Sequence, residues 1–287
     1  MAVIATGFFD GVHIGHRLVI STLVEAARSR GEESVVITLW PHPRIVLHDD
    51  ALSLRLLNTL DEKITLLQEL GVDRVEVLPF TADFSRLTAA EYLSRYVKDR
   101  FGGTAILLGY DNRIGHDSGT PAQTADIAAE LGLDVIRTDK VSSVGLAVSS
   151  SKIRKALLAG DVATASIFLC YAYSLEGEVV HGRKLGRTIG YPTANMDLYE
   201  KMKLVPAEGV YLTKVHLGDE TFWGMTNIGL TNETFIFDFD REIYGQPMRL
   251  EFIARLRGEM KFASLEELAA QLALDEASCR GMIGNLK

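Results

Sequence analysis

The stretch that decides the fold of this chain is residues 7–16, Gly-Phe-Phe-Asp-Gly-Val-His-Ile-Gly-His. It follows an apolar run at 3–6 that predicts a first β-strand, and it precedes an amphipathic run from Val19 that predicts a first α-helix. Its glycines let the backbone approach an anion closely, and the amino end of the helix offers free N–H groups and a positive dipole. The pattern therefore predicts a phosphate site at the carboxyl end of the first strand.

Two histidines of this stretch, His13 and His16, are spaced so that both can point into the turn. There they can donate hydrogen bonds to phosphate oxygens whose charge builds during displacement at phosphorus. A pair of ordinary turn histidines is the alternative interpretation, and a zinc pair is a third. Cysteine or glutamate ligands at the usual zinc spacing are not found nearby in the sequence. The glycine frame favours the phosphate role.

The rest of the first half alternates β-rich apolar runs with helix-like segments. This alternation predicts βαβ units and a parallel sheet. Unbroken apolar runs suit a sheet that helices cover on both faces. We therefore expect a doubly wound α/β domain over residues 1–169, with its later strands at 34–40, 74–78, 105–109 and 134–137.

The sequence pattern changes after Ser149. Two short predicted helices at 152–158 and 162–169 precede a region in which predicted strands dominate. Apolar residues alternate with polar ones from Met248 to Leu256, and glycine turns separate several similar runs. These features predict a small antiparallel β-barrel in a second domain, 170–287. A Ser-x-x-Glu capping box at its end predicts a closing helix over 264–274.

Composition narrows the classes of function. Hydrophobic residues make up 47 % and charged residues 24 %, which excludes large-scale disorder. The net charge is −8, which disfavours a nucleic-acid surface, and no apolar run approaches the ~18 residues of a membrane helix. Only two cysteines are present, without a Cys-x-x-Cys pair. We expect a cytoplasmic protein that binds small molecules and has neither a nucleic-acid nor a membrane partner; its oligomeric state is left open.

The stretch 7–16 resembles the nucleotidyltransferase signature Gly-x-Phe-Asp-Gly-x-His-x-Gly-His, and the first half as a whole is similar to FAD synthetase. Further similar segments follow later strands, at 41–44, 109–115 and 149–154. Two departures from the family are visible: Asn112 and Ile114 stand where it usually has Phe, and Ser151 stands where it has Thr.

The resemblance implies adenylyl transfer from ATP to FMN, in which the catalytic residues position the substrates and neutralise charge. The implied catalytic residues are His13, His16 and Arg154. The implied ATP contacts are Gly7, Phe8, Asp10, Gly11, Gly15, Ser150 and Lys152, and the implied flavin contacts are Asp111 and Arg113. Ser150 is also placed to be a simple helix N-cap, and the two roles are compatible.

A second candidate site begins at residues 182–190, where three glycines and three cations occur within nine residues. The spacing is not that of a Walker A loop; it suits a flexible basic flap or a solvated hairpin. Thr193 and Asn195 follow, two residues apart on a predicted strand, so their oxygens are expected to face one side. Hard oxygen ligands of this kind suit Mg²⁺.

The run at 186–195 is similar to the riboflavin kinase motif Gly-Arg-x-x-Gly-x-Pro-Thr-Ala-Asn. Similar segments continue at 209–211, 227–229, 233–240 and 256–262. With both halves matched, the chain resembles bifunctional riboflavin kinase and FAD synthetase, and the kinase half departs from the family in a short connection between Gly229 and Glu233.

The kinase resemblance implies a site that uses ATP and Mg²⁺ to phosphorylate riboflavin. It implies Glu233 as the base, ATP contacts at Gly182, Lys184, Gly186 and Arg187, Mg²⁺ ligands at Thr193 and Asn195, and a flavin contact at Arg257. The aromatic residues that alternate with Glu233 are expected to share its strand face. An exposed edge-strand glutamate is the alternative for Glu233.

Other functions stay open for parts of the sequence. The His-x-Gly-His half alone also fits a pantetheine-phosphate or nicotinate-mononucleotide adenylyltransferase, and a tRNA synthetase uses the same motif. A flavin- or nucleotide-binding regulator without turnover is the alternative from a different class. The kinase-like half argues against the two other adenylyltransferases, and the acidic net charge argues against a tRNA synthetase.

Overall fold

The structure is a computed structural model that describes residues 1–47, 54–109, 114–117, 120–138, 148–182 and 185–285. Contacts between Cα atoms divide the chain into two units, Met1–Ser150 and Ser151–Lys287. The sequence predicts a boundary between the two activities at 169/170. The contact division does not test where each activity ends, so this boundary stays a prediction.

The described part of the first unit forms a five-stranded parallel sheet in the order β3-β2-β1-β4-β5. The predicted parallel α/β fold is confirmed. The strands are β1 (Ala2–Thr6), β2 (Glu33–Trp40), β3 (Arg74–Pro79), β4 (Gly103–Leu108) and β5 (Asp134–Arg137). The helices are α1 (Ile14–Arg30), α2 (Pro43–Leu47), α3 (Leu60–Glu69), α4 (Ala89–Tyr92) with its π-helical continuation Leu93–Arg100, and α5 (Pro121–Glu130).

Helices cover both faces of this sheet, as its unbroken apolar strands require. Val3 and Ala5 of β1 face a core that includes Leu23 of α1 and Leu67 of α3. Their neighbour Ile4 faces the opposite core with the α4 and α5 side chains. Because successive strand residues point to opposite faces, one short strand contributes to both cores. The carboxyl end of β1 is thereby held rigidly, directly before the stretch 7–16.

The described part of the second unit contains a closed antiparallel barrel in the order β10-β7-β6-β11-β8-β9, which confirms the predicted barrel. Its strands are β6 (Ser174–Val180), β7 (Ala194–Leu198), β8 (Gly209–Leu217), β9 (Glu220–Ile228), β10 (Asn232–Ile236) and β11 (Pro247–Arg257). The helices of this part of the chain are α6 (Ser150–Leu158), α7 (Val162–Leu169), α8 (Leu185–Thr188) and α9 (Leu265–Asn285).

Buried threonine hydroxyls join three neighbouring strands inside the barrel. The Thr226 hydroxyl lies 2.9 Å from that of Thr213 and 2.9 Å from that of Thr234. Each hydroxyl thus has a partner away from water, which a buried polar group needs. The ladder holds β10 in register with β9.

The closing helix is longer than the sequence pattern predicts. Ser264 accepts a hydrogen bond from the Glu267 amide, as the capping box requires, but α9 continues to Asn285 instead of ending at residue 274. The buried side chains of the extension, Asp275 and Cys279, are four residues apart and lie on one helix face. The hydrophobic period of the sequence does not indicate this continuation, because one of its buried positions is the aspartate Asp275.

Candidate active sites

The loop that follows β1 has an unusual backbone. Phe9 and Val12 have positive φ angles of 52° and 35°, and Gly11 has a φ of 85°. A residue with a side chain in such a conformation costs about 1–3 kcal/mol and persists only where its surroundings impose it. The loop therefore depends on the contacts that hold it.

Asp10 provides one set of these contacts. Its buried carboxylate accepts hydrogen bonds from the backbone amides of Leu57 and Asn58, at 3.0 and 3.3 Å. Its own carbonyl accepts a hydrogen bond from the Ser150 hydroxyl at 2.9 Å. Asp10 thus ties the loop to segments 47 and 140 positions further along the chain.

Phe8 is held from the other side. Its carbonyl accepts hydrogen bonds from Lys63 Nζ at 3.0 Å and from the Thr38 hydroxyl at 3.3 Å. Its ring lies edge-on to His42, with ring centroids 4.0 Å apart, and stacks with Trp40 at 6.5 Å. The Pro-His-Pro-Arg segment after β2 is thereby brought to the glycine-framed loop, as the common sheet edge predicts.

The two histidines lie together at the start of α1. His13 is the N-cap residue, and its Nδ1 accepts a hydrogen bond from the His16 amide at 3.4 Å. The two rings stack with centroids 3.7 Å apart. Burial, followed by the nearby His13 and Lys63, lowers the pKa of His16 well below its ordinary value. At neutral pH His16 is therefore a neutral imidazole, which offers one N–H donor.

Other implied residues of this half are placed less closely. Gly7 and Gly15 belong to the same stretch, flanking the histidine and phenylalanine rings. Lys152 and Arg154 lie in the first two turns of α6, and their contact with ATP stays a prediction. Asp111 and Arg113 lie outside the described residues.

In the barrel, strand register brings the implied kinase residues together. Glu233 of β10 lies opposite Asn195 of β7 and opposite Asn227 of β9. The Glu233 carboxylate accepts hydrogen bonds from the Thr193 hydroxyl at 3.4 Å and from the Thr231 hydroxyl at 2.9 Å. The short connection after Gly229 therefore positions Glu233 through Thr231.

The sequence predicts Thr193 on the strand, but β7 begins at Ala194, so Thr193 lies just before the strand. Its hydroxyl nonetheless reaches Glu233, and Asn195 adjoins Glu233 from within the strand. The Thr193 hydroxyl and the Glu233 carboxylate are thus in contact, and Asn195 occupies the strand position paired with Glu233. This donor set fits Mg²⁺, a hard cation that prefers oxygen ligands and shares them with substrate phosphates.

Gly182 explains how the basic flap begins. A Cβ atom at this position would lie 2.1 Å from Asn195 Nδ2, so a larger residue would displace the Asn195 side chain. Gly186 and Arg187 lie within α8, so this part of the expected flap or hairpin is a short helix, and Lys184 lies outside the described residues. The glycine is thus needed for close approach to a candidate metal ligand.

Cavities open on two sides of this cluster. One, of about 280 Å³, is lined by Glu233 together with aromatic and aliphatic side chains that include Tyr191, Phe235 and Phe262. Another, of about 370 Å³, is lined by Thr193 and by charged residues of both signs, the cations Arg187 and Arg241 and the carboxylates Asp240 and Glu242. The first suits a planar apolar ring system, and the second is a polar cavity with charges of both signs. The predicted aromatic face beside Glu233 includes Phe235 but does not extend to Phe239, which lines the second cavity, because β10 ends at Ile236 and Asp238 then has a φ of 55°.

Arg257 lines the apolar cavity, and its guanidinium is already paired, so its contact with flavin stays a prediction. Its Nη2 lies 2.7 Å from Asp275 Oδ2, and its Nε also donates to that carboxylate. Asp275, in α9, is only 4 % exposed and also accepts a hydrogen bond from Gln271 at 2.9 Å. The buried pair therefore fixes α9 against the strand that carries Arg257.

Comparison with known proteins agrees with this two-site arrangement. The FAD synthetase family model matches residues 1–152, and the riboflavin kinase family model matches residues 169–283. The curated bifunctional riboflavin kinase/FMN adenylyltransferase of Listeria monocytogenes is 35 % identical over 99 % of this chain and 93 % of its own length. That of Bacillus subtilis is 34 % identical over 100 % of this chain and 94 % of its own length. The chain belongs to the bifunctional riboflavin kinase/FMN adenylyltransferase family.

One solved structure similar to this family member is described as a macrolide-efflux protein from Streptococcus pneumoniae. It shares 32 % identity and covers 97 % of this chain and 93 % of its own, with a TM-score of 0.89. In the described part of this chain, no helix combines the length and the apolar character that crossing a bilayer requires.

Sequence reasoning missed two residues of this bifunctional fold. Lys63 lies below the glycine-framed loop, and Asp275 holds Arg257 at the apolar cavity. Each is a charged residue on a helix face that is otherwise buried, next to Leu67 and Cys279 respectively. That mismatch between charge and helical position was the available signal.

Proposed function

We propose that the chain makes FAD from riboflavin in two ATP-dependent steps, the first in the barrel domain and the second in the N-terminal domain. The observation that carries the kinase step is the position of Glu233 between an apolar cavity and the cluster that holds Thr193 and Asn195. The division of activities follows the family, with the boundary at 169/170.

In the kinase step, the apolar cavity takes the isoalloxazine ring and the cavity beside Arg187 takes ATP. Glu233 accepts the proton of the ribityl 5′-hydroxyl, while the γ-phosphoryl group moves in line to give FMN and ADP. Mg²⁺, held by Thr193 and Asn195, would supply charge neutralisation at the ATP phosphates. Thr231 and Thr193 orient the Glu233 carboxylate toward the hydroxyl.

In the second step, a phosphate oxygen of FMN attacks the α-phosphorus of ATP and pyrophosphate leaves. His13 and His16 donate hydrogen bonds to the phosphate oxygens, and Arg154 neutralises their charge. His16 is neutral at physiological pH because its pKa is lowered. In this form it can donate a hydrogen bond without acting as an acid or a base. A phosphate is already a competent nucleophile, so the step uses no general base and no covalent enzyme intermediate.

We also propose a cytoplasmic location and small-molecule partners only. Both cysteines, Cys170 and Cys279, are free thiols, which is the state that a reducing compartment maintains. The net charge of −8 supports small ligands rather than nucleic acid.

The test is to supply riboflavin, ATP and Mg²⁺ and to separate the flavins by chromatography. FMN that accumulates first and FAD that follows would support both steps. FMN alone would contradict the assignment of the first domain, and unchanged riboflavin would contradict both and favour a binding protein.

A further inference from the structure

Lys63 is a buried lysine in a position that normally holds an apolar side chain. It is 1 % exposed and shares the inner face of α3 with Leu67. Moving an ammonium group out of water costs several kcal/mol unless partners compensate. A residue retained at that cost is a candidate for a role in the adjacent site.

Among the described residues, its ammonium group contacts the glycine-framed loop and the strand end beside it. Lys63 Nζ donates to the Phe8 carbonyl at 3.0 Å and lies 3.9 Å from the centroid of the Phe8 ring. It lies 5.7 Å from the centroid of the Trp40 ring. The ammonium group is therefore fixed directly beneath the loop that precedes the two histidines.

The charged and titratable groups near Lys63 come from three elements of the described chain. The loop contributes the Asp10 carboxylate, which raises the pKa of Lys63, and α1 contributes His16, whose pKa the lysine lowers. On its own helix, Glu62 is engaged with the Thr59 amide at 2.9 Å. Burial outweighs Asp10 and lowers the pKa of Lys63 to about 8.

We propose that Lys63 is a positioning residue for adenylyl transfer: its ammonium group holds the Phe8 carbonyl and places a fixed positive charge under the loop that receives the ATP phosphates. The proposal rests on the proposed function of the N-terminal domain. Lys63 acts through the loop, because its Nζ donates to the Phe8 carbonyl and lies against the Phe8 ring.

A pH dependence follows from the sign of this arrangement. The protonated lysine is the active form, so FAD formation should fall as the pH rises through about 8. Riboflavin phosphorylation in the same chain should lack this decline. Stability should behave oppositely, because the unfolded lysine binds its proton more tightly and unfolding therefore becomes less favourable between about pH 8 and the ordinary lysine pKa.

The experiment compares Lys63→Met with Lys98→Met in the full chain. Lys98 is an exposed lysine of the same unit whose Nζ also donates to a backbone carbonyl, that of Leu131, at 2.7 Å. We expect Lys63→Met to lower kcat/KM for FAD formation about 10- to 100-fold near pH 7, the range of a charged hydrogen bond. It should also abolish the alkaline decline, leave riboflavin phosphorylation unchanged and not lower the thermal midpoint. Lys98→Met should match the wild type.

A second variant, Lys63→Arg, separates charge from shape. Arginine keeps its charge throughout the range, so FAD formation by this variant should exceed that of Lys63→Met and should lack the decline above pH 8. If Lys63→Met formed FAD at the wild-type rate, the proposed role of Lys63 would be overturned, and the proposed function of the domain would stand. A loss accompanied by a lower thermal midpoint and an unchanged pH profile would show a merely structural lysine and would also overturn it. A wild-type chain that makes FMN but no FAD would overturn the proposal together with the proposed function of this domain.

Discussion

The two sites of this chain hold their functional groups by different means. In the N-terminal site, a loop with a strained backbone is fixed by side chains from distant segments, namely Thr38, Lys63 and Ser150. In the barrel, Asn195 and Glu233 meet because two antiparallel strands are in register. One site thus depends on hydrogen bonds to a loop and the other on pairing within a closed sheet.

The difference teaches where each site is sensitive. A loop held by a few polar contacts loses its geometry when one contact is removed, although the sheet beneath it stays folded. Residues on paired barrel strands keep their positions when a side chain is shortened, because the backbone ladder supports them. Substitutions in the two halves should therefore separate chemistry from folding.

The largest expected effect is on the kinase base. Glu233→Gln keeps the size of the side chain and an oxygen that can accept from Thr231, but it removes the proton acceptor. FMN formation should fall roughly 100- to 10,000-fold, the range for loss of a general base. FAD formation from supplied FMN should be unchanged, as measured by flavin chromatography with each substrate.

The matched control for this change is Glu178→Gln, an exposed glutamate of β6. It should phosphorylate riboflavin like the wild type. Full kinase activity in Glu233→Gln would assign the proton acceptor to another group.

His16→Ala tests the loop site in the same way. Removing the imidazole should lower FAD formation roughly 100- to 1,000-fold, comparable to loss of one donor to a developing oxyanion. Riboflavin phosphorylation should persist, because the kinase site lies within the barrel. His216→Ala, in β8, is the control and should retain both activities; an equal loss of both activities in His16→Ala would count against separate sites.

A third substitution tests how α9 supports the kinase cavity. Asp275→Asn leaves the Arg257 guanidinium largely buried with a neutral partner, so the free energy of unfolding should fall by roughly 2–4 kcal/mol. The KM for riboflavin should rise because Arg257 lines the apolar cavity. Denaturant unfolding followed by tryptophan fluorescence and steady-state kinetics measure the two effects.

The exposed ion pair that Arg280 makes, further along α9, is the comparison. Asp238 pairs with Arg280 in water and is 77 % exposed, so Asp238→Asn should have a much smaller effect on stability. If both substitutions lowered the free energy of unfolding equally, the buried Asp275–Arg257 pair would contribute no more to stability than the exposed pair.

The smallest expected effect concerns the metal. Asn195→Ala should raise the Mg²⁺ concentration needed for half-maximal riboflavin phosphorylation several-fold, because it removes one candidate oxygen ligand. The Mg²⁺ dependence of FAD formation should not change. An unchanged metal titration of the kinase step would exclude Asn195 as a ligand.

Local sequence patterns were sufficient for much of the molecule. Hydrophobic period and glycine position placed β1, α1 and the glycine-framed loop between them, because strand and helix periods depend on neighbouring residues alone. The resemblance to family motifs then predicted His16 as a residue of adenylyl transfer and Glu233 as the kinase base. The alternation of helix and strand, followed by strands alone, predicted both domain folds.

Only the tertiary structure decided which distant residues complete the sites. Lys63 reaches the Phe8 carbonyl, Ser150 reaches Asp10, and Asp275 reaches Arg257 across long separations in sequence. It also decided that Thr231 orients Glu233 from the short connection. Such contacts depend on how complete elements pack and on strand register, and a local pattern of residues carries no information about either.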